Sequence, residues 1–192
     1  HKEYRRQRQM CIRDSFNAAL DIAEKIAEDY FVPIRKTVDL NQPDWDGEKV
    51  VMIPEIKTAY DAVAEAGLIC PDQSYEMGGM QLPLVVASCA MGYITAAAST
   101  TNGFHALTAA NANLLETHAS QEQIETWVPR LRTGEFAGTM ALSEPQAGSS
   151  LADMRTKAVA QDDGTYRIFG NKIWISGGDH ELSLIHISEP TR

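Results

Sequence analysis

The sequence contains few cysteines, no long hydrophobic run and no excess of positive charge. Its three cysteines, Cys11, Cys70 and Cys89, have no metal-ligand spacing. This predicts buried or incidental thiols in a reducing compartment rather than a disulfide scaffold. The 17 basic residues are outnumbered by 26 acidic ones, which gives a formal net charge of −9. That charge argues against nucleic acid and against an anionic membrane surface as partners.

Signals for membrane insertion, secretion and nicotinamide binding are also lacking. The most apolar stretch, residues 82–98, has 17 residues, whereas a membrane-spanning helix needs ~20. No apolar segment follows the N-terminal arginines, so a secretion signal is not expected. We therefore predict no membrane insertion and a cytoplasmic location. Without a Gly-x-Gly-x-x-Gly motif a Rossmann nicotinamide site has no support, and His105 and His118 lack a second ligand at metal-binding spacing.

The two ends of the sequence differ from the rest. Residues 1–15 contain 5 of the 17 basic residues and show neither helical nor strand periodicity. Residues 183–192 interrupt a strand-like pattern. Both ends resemble translated sequencing-adapter text, so we expect 1–15 to be a non-native, disordered arm and 183–192 to be a non-native tail. The remaining residues carry a net charge of −12.

Hydrophobic periodicity predicts helices in the first part of the chain. Apolar residues recur at helical spacing from Phe16 to Tyr30, and Pro33 is expected to kink or end this first helix. Further helices are predicted at 54–67, 83–98, 104–117 and 120–134. The helix at 83–98 is apolar all round, which predicts a central position in a bundle. The last helix begins with a Ser-x-x-Gln capping box and ends at a glycine.

After residue 135 the hydrophobic period changes to two, which predicts strands at 136–142, 154–160, 165–169 and 172–176. An Asp-Asp-Gly turn joins two of them as a hairpin. Helices followed by strands predict an α+β fold with two domains. These are an all-α domain over 16–135 and the start of an antiparallel β-barrel-like domain over 136–182. Four strands without a closing partner leave a bare sheet edge, so we expect the second domain to be incomplete.

Two motifs in the strand region match a known family in order and spacing. Residues 143–150 read Ser-Glu-Pro-Gln-Ala-Gly-Ser-Ser, and residues 170–176 read Gly-Asn-Lys-Ile-Trp-Ile-Ser. Arg-Thr-Lys-Ala at 155–158 lies between them. The sequence resembles the acyl-CoA dehydrogenase family over about 16–182, since the middle domain of that family opens with Thr-Glu-Pro-x-Ala-Gly-Ser-Asp. Its loops and the Gly-Gly-Asp-His-Glu run at 177–181 are most similar to methylmercaptopropionyl-CoA dehydrogenases.

This resemblance implies an FAD-dependent oxidoreductase of fatty acid metabolism, which dehydrogenates an acyl-CoA thioester between its α and β carbons. The Ser143 hydroxyl would face the pyrimidine end of the flavin, the Ser176 hydroxyl would reach N5, and Trp174 would pack beside the ring. Ser149 would also lie near the pantetheine-phosphate part of the substrate. The cofactor contacts implied in this way are Met140, Ala141, Leu142, Ser143, Gly148, Ser149, Trp174, Ile175 and Ser176.

Several positions depart from the family pattern or lack a family role. Ser143 and Ser176 replace threonines, which keeps the hydroxyl but loses the methyl that fixes its rotamer, and Ser150 replaces an aspartate. The family's catalytic base belongs to a C-terminal helical domain, so no catalytic residue is assigned here. Glu144 is interpreted as a turn carboxylate. The resemblance further implies electron-transfer flavoprotein or a similar acceptor as a partner, and a homo-oligomeric full-length protein.

Two other functions remain open at this point. The chain could belong to a non-catalytic flavoprotein of the same fold, such as one associated with DNA repair, although a basic patch would then be expected. It could also be a helical interaction module without a cofactor. Flavin absorbance in a protein that includes the C-terminal domain distinguishes the enzyme from this module.

Overall fold

The computed structural model describes residues 2–180 and 182, with side chains from residue 11 onward. It contains two short antiparallel hairpins, β1 (Asp44–Trp45) with β2 (Val50–Val51), and β3 (Lys157–Ala160) with β4 (Tyr166–Phe169). A π-helical turn, Ala27–Phe31, continues the first helix, and short 3-10 turns lie at Tyr75–Met77 and Leu151–Asp153. The α-helices are α1 (Lys2–Ile26), α2 (Arg35–Leu40), α3 (Pro54–Glu65), α4 (Leu84–Ala97), α5 (Ser99–His118) and α6 (Gln121–Arg132).

The main hydrophobic core lies among the helices, and a smaller buried cluster is formed by Ala19, Leu82 and Ala87. α1 packs on α3 and α4, and α5 packs on α3, α4 and α6. Tyr60 of α3 and Phe31 of the π-helical turn are the largest side chains with no exposed surface. At the start of α6 the predicted capping box is confirmed, because Ser120 Oγ accepts from the Gln123 amide and the Gln123 side chain accepts from the Ser120 amide. Gly134 follows α6 with φ of +73°, a conformation that glycine adopts without strain.

Helix α1 begins at Lys2 rather than at Phe16, so the backbone of the predicted arm is helical. Residues 2–15 contain no proline or glycine and are rich in Arg, Lys, Glu and Gln, which favour helix without any apolar periodicity. The side chains at 11–15 are all exposed. The predicted tail at 183–192 lies outside the described residues. The non-native origin of both ends stays a prediction.

Helix α4 does not occupy the central position predicted from its apolar sequence. One stripe of the helix is buried, formed by Ala87, Ala90, Ile94 and Ala97. Leu84 and Val85, in the first turn of the helix, are about 70% exposed. Neither α4 nor any other helix among residues 2–180 combines the length and hydropathy needed to cross a membrane.

Two of the four predicted strands are absent from the described residues, and no closed barrel forms there. At 136–142 the predicted strand was wrong, because backbone groups of Gly138 and Thr139 bond to side chains of α5 instead of a neighbouring strand. At 172–176 it was wrong because Trp174 has φ of +58°, which breaks an extended backbone. The predicted hairpin is confirmed as β3 and β4, whose register pairs Lys157 with Phe169.

Candidate functional site

The two motifs of the strand region lie side by side in the structure. The amide of Ile173 donates to the carbonyl of Ser143 over 3.0 Å. The Thr139 hydroxyl donates a short hydrogen bond to the carbonyl of Ser176. The ammonium of Lys172 donates to the Leu142 carbonyl over 2.9 Å. Residues 139–143 and 172–176 therefore form one surface, although neither segment is a strand.

Glu144 is the centre of the turn that follows the first segment, and only 4% of it is exposed. Its Oε1 accepts from Lys172 Nζ at 2.9 Å and from the Thr156 amide at 3.0 Å, and its Oε2 accepts from the Arg155 amide at 2.7 Å. Backbone hydrogen bonds in both directions link it to Ala147. The carboxylate thus connects the turn, the start of the β3 hairpin and the second motif.

The same neighbours keep Glu144 charged. Hydrogen bonds from Thr156, from the Arg155 amide and from the Lys172 ammonium all favour the carboxylate, so the pKa of Glu144 lies far below its ordinary value. A carboxylate with such a low pKa is a weak base at neutral pH. Its role is to hold the turn, in agreement with its interpretation from the sequence.

The joined segments present an aromatic ring and unused hydrogen-bond donors to solvent. Trp174 is 88% exposed. Ser176 is exposed and Ser143 is half-buried, and neither hydroxyl bonds to another described residue. Within the described chain the amides at 140–143 and 174–176 make no backbone hydrogen bond. An exposed indole beside free N–H and O–H donors fits a flat heteroaromatic ligand that carries acceptor atoms.

The burial pattern of the second motif follows the predicted alternation even without a strand. Trp174 and Ser176 are exposed, whereas Ile173 and Ile175 are half-buried. A non-glycine residue with positive φ is uncommon, and for a bulky side chain it marks local strain or a functional constraint. The positive φ of Trp174 therefore indicates a functional constraint on the same surface that the sequence motif predicts.

The other predicted site residues occupy the same loop region. Met140 is half-buried and Ala141 and Leu142 are exposed on the first segment. Gly148 and Ser149 are exposed and follow the Glu144–Ala147 bridge. Lys172 and Thr139 join the two segments, although no role was predicted for either residue from the sequence. The Gly-x-Lys signature placed Lys172 in the motif, but only the fold brings Glu144 to it.

His105 and His118 both lie on helix α5, outside the two segments. His105 is buried, stacks on Tyr60 with ring centroids 4.6 Å apart, and its Nε2 donates to the Tyr60 carbonyl at 3.3 Å. Burial lowers the pKa of His105 to about 4. His118 is exposed. Across the part of the chain that the structure describes, no group of three or more His, Cys, Asp or Glu side chains could hold a metal ion.

Comparison with known proteins gives matches over most of the chain. Residues 17–135 match the family model "Acyl-CoA dehydrogenase, N-terminal domain", and residues 139–189 match "Acyl-CoA dehydrogenase, middle domain". The 3-methylmercaptopropionyl-CoA dehydrogenase of Ruegeria pomeroyi is 35% identical over 176 residues, which cover 91% of this chain and 30% of the relative. The chain thus spans under a third of that relative's length.

Solved structures show the same fold. Butyryl-CoA dehydrogenase from Megasphaera elsdenii superimposes with a TM-score of 0.72 at 21% identity, covering 85% of this chain and 41% of that one. An acyl-CoA dehydrogenase from Bacillus anthracis, solved in complex with FAD, gives a TM-score of 0.68 at 22% identity, covering 84% of this chain and 26% of that one. At these identities the likeness establishes the fold.

Proposed function

This chain belongs to the acyl-CoA dehydrogenase family, and from that premise we propose that it is part of an FAD-dependent enzyme that dehydrogenates an acyl-CoA thioester between its α and β carbons. One observation supports the proposal above the others. The bond from Ile173 to Ser143 joins the two family motifs and leaves Trp174 and both serine hydroxyls open to a ligand. The helical domain would then cover 16–135 and the middle domain would begin at 136–182.

The exposed surface suits the isoalloxazine ring of FAD. The Trp174 indole would pack beside the ring, the Ser143 hydroxyl would donate at its pyrimidine end, and the Ser176 hydroxyl would donate at N5. Bound FAD supplies the acceptor for the hydride that leaves the β carbon. Side chains and backbone amides of four further residues would have separate roles, those of Met140, Ala141, Leu142 and Ile175. The apolar side chains would exclude water, and the free amides would donate to ring oxygens.

The remaining predicted contacts, Gly148 and Ser149, belong to the exposed loop after the turn. Ser149 would lie nearer the pantetheine phosphate of acyl-CoA, where a small side chain with a hydroxyl allows close approach and one hydrogen bond. The relative from Ruegeria pomeroyi acts, by its name, on 3-methylmercaptopropionyl-CoA. We propose a substrate in the same class of short acyl thioesters.

No residue of this chain is proposed as the catalytic base. The α proton of the thioester must go to a base. Hydrogen bonds from Lys172 and two backbone amides lower the pKa of Glu144, so its carboxylate is too weak a base for this step. The chain spans 30% of its Ruegeria relative, so the base is expected from sequence beyond these 192 residues. The 192-residue chain alone should show no acyl-CoA-dependent dye reduction.

The proposal includes the partners and location that the family implies. An enzyme that keeps its reduced flavin bound needs a separate electron acceptor, for which electron-transfer flavoprotein or a similar protein is proposed. A homo-oligomeric full-length enzyme in the cytoplasm completes the proposal. Nucleic acid is not a proposed partner, because the formal charge of the chain is −9.

Absorbance of the purified full-length enzyme tests the function. We expect a bound flavin with visible absorption bands. Anaerobic addition of a short-chain acyl-CoA should reduce the flavin and bleach its long-wavelength band. A flavin that stays oxidised with every acyl-CoA tested would indicate the non-catalytic flavoprotein. A colourless protein that does not take up added FAD would indicate a helical module without a cofactor.

A further inference from the structure

One face of helix α5 contacts residues in or next to both segments of the proposed flavin site. Phe104, Thr108 and Asn111 follow one another at i, i+4 and i+7, so they lie on the same side of the helix. Phe104 lies beside Gly177, the residue that follows the second segment, since a Cβ added to Gly177 would lie 3.2 Å from the Phe104 ring. Thr108 and Asn111 contact the first segment.

Thr108 makes two hydrogen bonds from a fully buried position. Its hydroxyl donates to the Phe104 carbonyl over 2.7 Å and accepts from the Gly138 amide over 3.0 Å. The hydroxyl therefore serves as acceptor for a backbone donor that no strand partner satisfies. An apolar side chain at this position would leave the Gly138 amide unpaired.

Asn111 holds the next residue of the same segment. Its Nδ2 donates to the Thr139 carbonyl at 2.8 Å and to the Leu107 carbonyl at 3.2 Å. The approach is close, because a Cβ on Gly138 would lie only 2.8 Å from the Asn111 side chain. Glycine at 138 thus allows the backbone to reach α5, and Asn111 fixes it there.

The connection continues from the first segment to the second. Thr139, whose carbonyl accepts from Asn111, donates its own hydroxyl to the Ser176 carbonyl. Hydrogen bonds therefore run from α5 through Thr139 to the residue whose hydroxyl faces the proposed ligand. Ser143 and Ser176 lack the branched Cβ that restricts the χ1 of threonine. The placement of their hydroxyls depends on the backbone to a greater degree.

We infer that Thr108 and Asn111 are positioning residues of the flavin site, which align Ser143 and Ser176 by fixing the backbone at 138–139. This inference rests on the proposed FAD function. Neither side chain touches the proposed ligand. Their effect on the flavin passes through Thr139 and the two segments that it joins.

Hydrogen exchange and flavin potentials of the full-length holoenzyme test the inference, with Asn111→Ala and Thr108→Val as variants. Asn111→Ala should speed exchange of the Ile173 amide about fivefold or more, the effect of losing one hydrogen bond. It should also shift the flavin midpoint potential and weaken FAD affinity. Thr108→Ser, which keeps the hydroxyl, should restore wild-type values that Thr108→Val loses.

Thr117→Val is the matched control. The Thr117 hydroxyl makes the same type of bond as Thr108, to the Asn113 carbonyl at 2.8 Å, but Thr117 is exposed on α5. This variant should leave the Ile173 exchange rate and the flavin potential unchanged. Asn111→Asp removes the donor while keeping the size of the side chain, and it should behave like Asn111→Ala.

The outcomes separate this inference from the function on which it rests. A wild-type protein without flavin overturns the proposed function, and hydrogen exchange still measures the coupling to Ile173. A wild-type holoenzyme whose exchange at Ile173 and flavin potential are unchanged by Asn111→Ala overturns the inference alone. A shift of the flavin midpoint potential in Thr117→Val as large as that in Thr108→Val also overturns the inference.

Discussion

The ammonium of Lys172 lies 2.9 Å from Oε1 of Glu144, although the two residues are 28 positions apart in the chain. The carboxylate is almost fully buried, whereas the ammonium remains partly exposed. Because Lys172 also donates to the Leu142 carbonyl, one side chain fastens the turn after the first motif to the start of the second. The ion pair thereby sets the distance between the two halves of the proposed flavin surface.

Replacing Lys172 by methionine should destabilise the domain, since it leaves the buried Glu144 carboxylate without its cation. The matched control is Lys57→Met in α3. Lys57 Nζ lies 2.7 Å from Asp61 Oδ2, and both of these side chains are more than 40% exposed. An exposed pair of this kind contributes less than about 1 kcal/mol. Urea unfolding of both variants should show the larger loss for Lys172→Met, and equal losses would contradict a structural role for the pair.

His105 should make stability depend on pH. Burial lowers the pKa of His105 from 6.5 to about 4, so the unfolded chain binds a proton at a higher pH than the folded chain does. Stability is therefore complete above pH 6.5 and falls as the pH decreases toward 4, by up to about 3 kcal/mol. Unfolding free energies measured across this window should show the slope in the wild type and a much smaller one in His105→Phe. The same slope in both proteins would assign it to other groups.

Two glycines that differ in their surroundings should respond in opposite directions to alanine. A Cβ on Gly79 would lie 2.1 Å from the Gln73 carbonyl oxygen, so Gly79→Ala must displace the loop and should lower the thermal midpoint. Gly92 lies inside α4 with nothing within 4 Å of an added Cβ. Gly92→Ala should stabilise the protein by about 1 kcal/mol through helix propensity. Calorimetry of the two variants checks both signs.

The Ser176 hydroxyl should matter for the reaction and little for folding. Ser176 is exposed, so Ser176→Ala should leave the thermal midpoint of the full-length enzyme near that of the wild type. Loss of one neutral hydrogen bond to the flavin costs about 1 kcal/mol, or roughly a fivefold slower flavin reduction. Ser176→Thr keeps the hydroxyl and should reduce at close to the wild-type rate. Stopped-flow reduction that is equally fast in Ser176→Ala would remove this residue from the flavin site.

The helices could be predicted because their signals are local. The capping box at Ser120 and the proline at the start of α3 act within one turn, and both lie where the sequence placed them. The extent of α1 was missed because residues 2–15 favour helix by propensity and not by an apolar stripe. The exposure of Leu84 could not be read from the sequence, since an apolar helix surface does not show which of its faces other elements cover.

The arrangement of the candidate site was predicted in part. The motifs predicted Ser143, Trp174 and Ser176 as site residues, and the fold brings their segments together. Their contact with a flavin stays a prediction. Thr108 and Asn111 were missed, because a buried threonine and asparagine on a helix become meaningful only when the backbone of Gly138 lies beside them. The two segments predicted as strands were wrong because of contacts and angles that the sequence does not show. At 136–142 side chains of α5 take the place of a neighbouring strand. At 172–176 the positive φ of Trp174 interrupts the extended backbone.

Tryptophan fluorescence tests the central claim, that the surface around Trp174 holds the flavin. The sequence contains Trp45, Trp127 and Trp174, and Trp174 is 88% exposed. Adding FAD to the flavin-free full-length enzyme should quench tryptophan emission, because a ring packed beside the Trp174 indole quenches it by direct contact. Trp174→Phe should largely abolish this quenching. The matched variant Trp45→Phe should retain the quenching. Equal quenching of wild-type and Trp174→Phe protein would contradict the placement of the flavin at this surface.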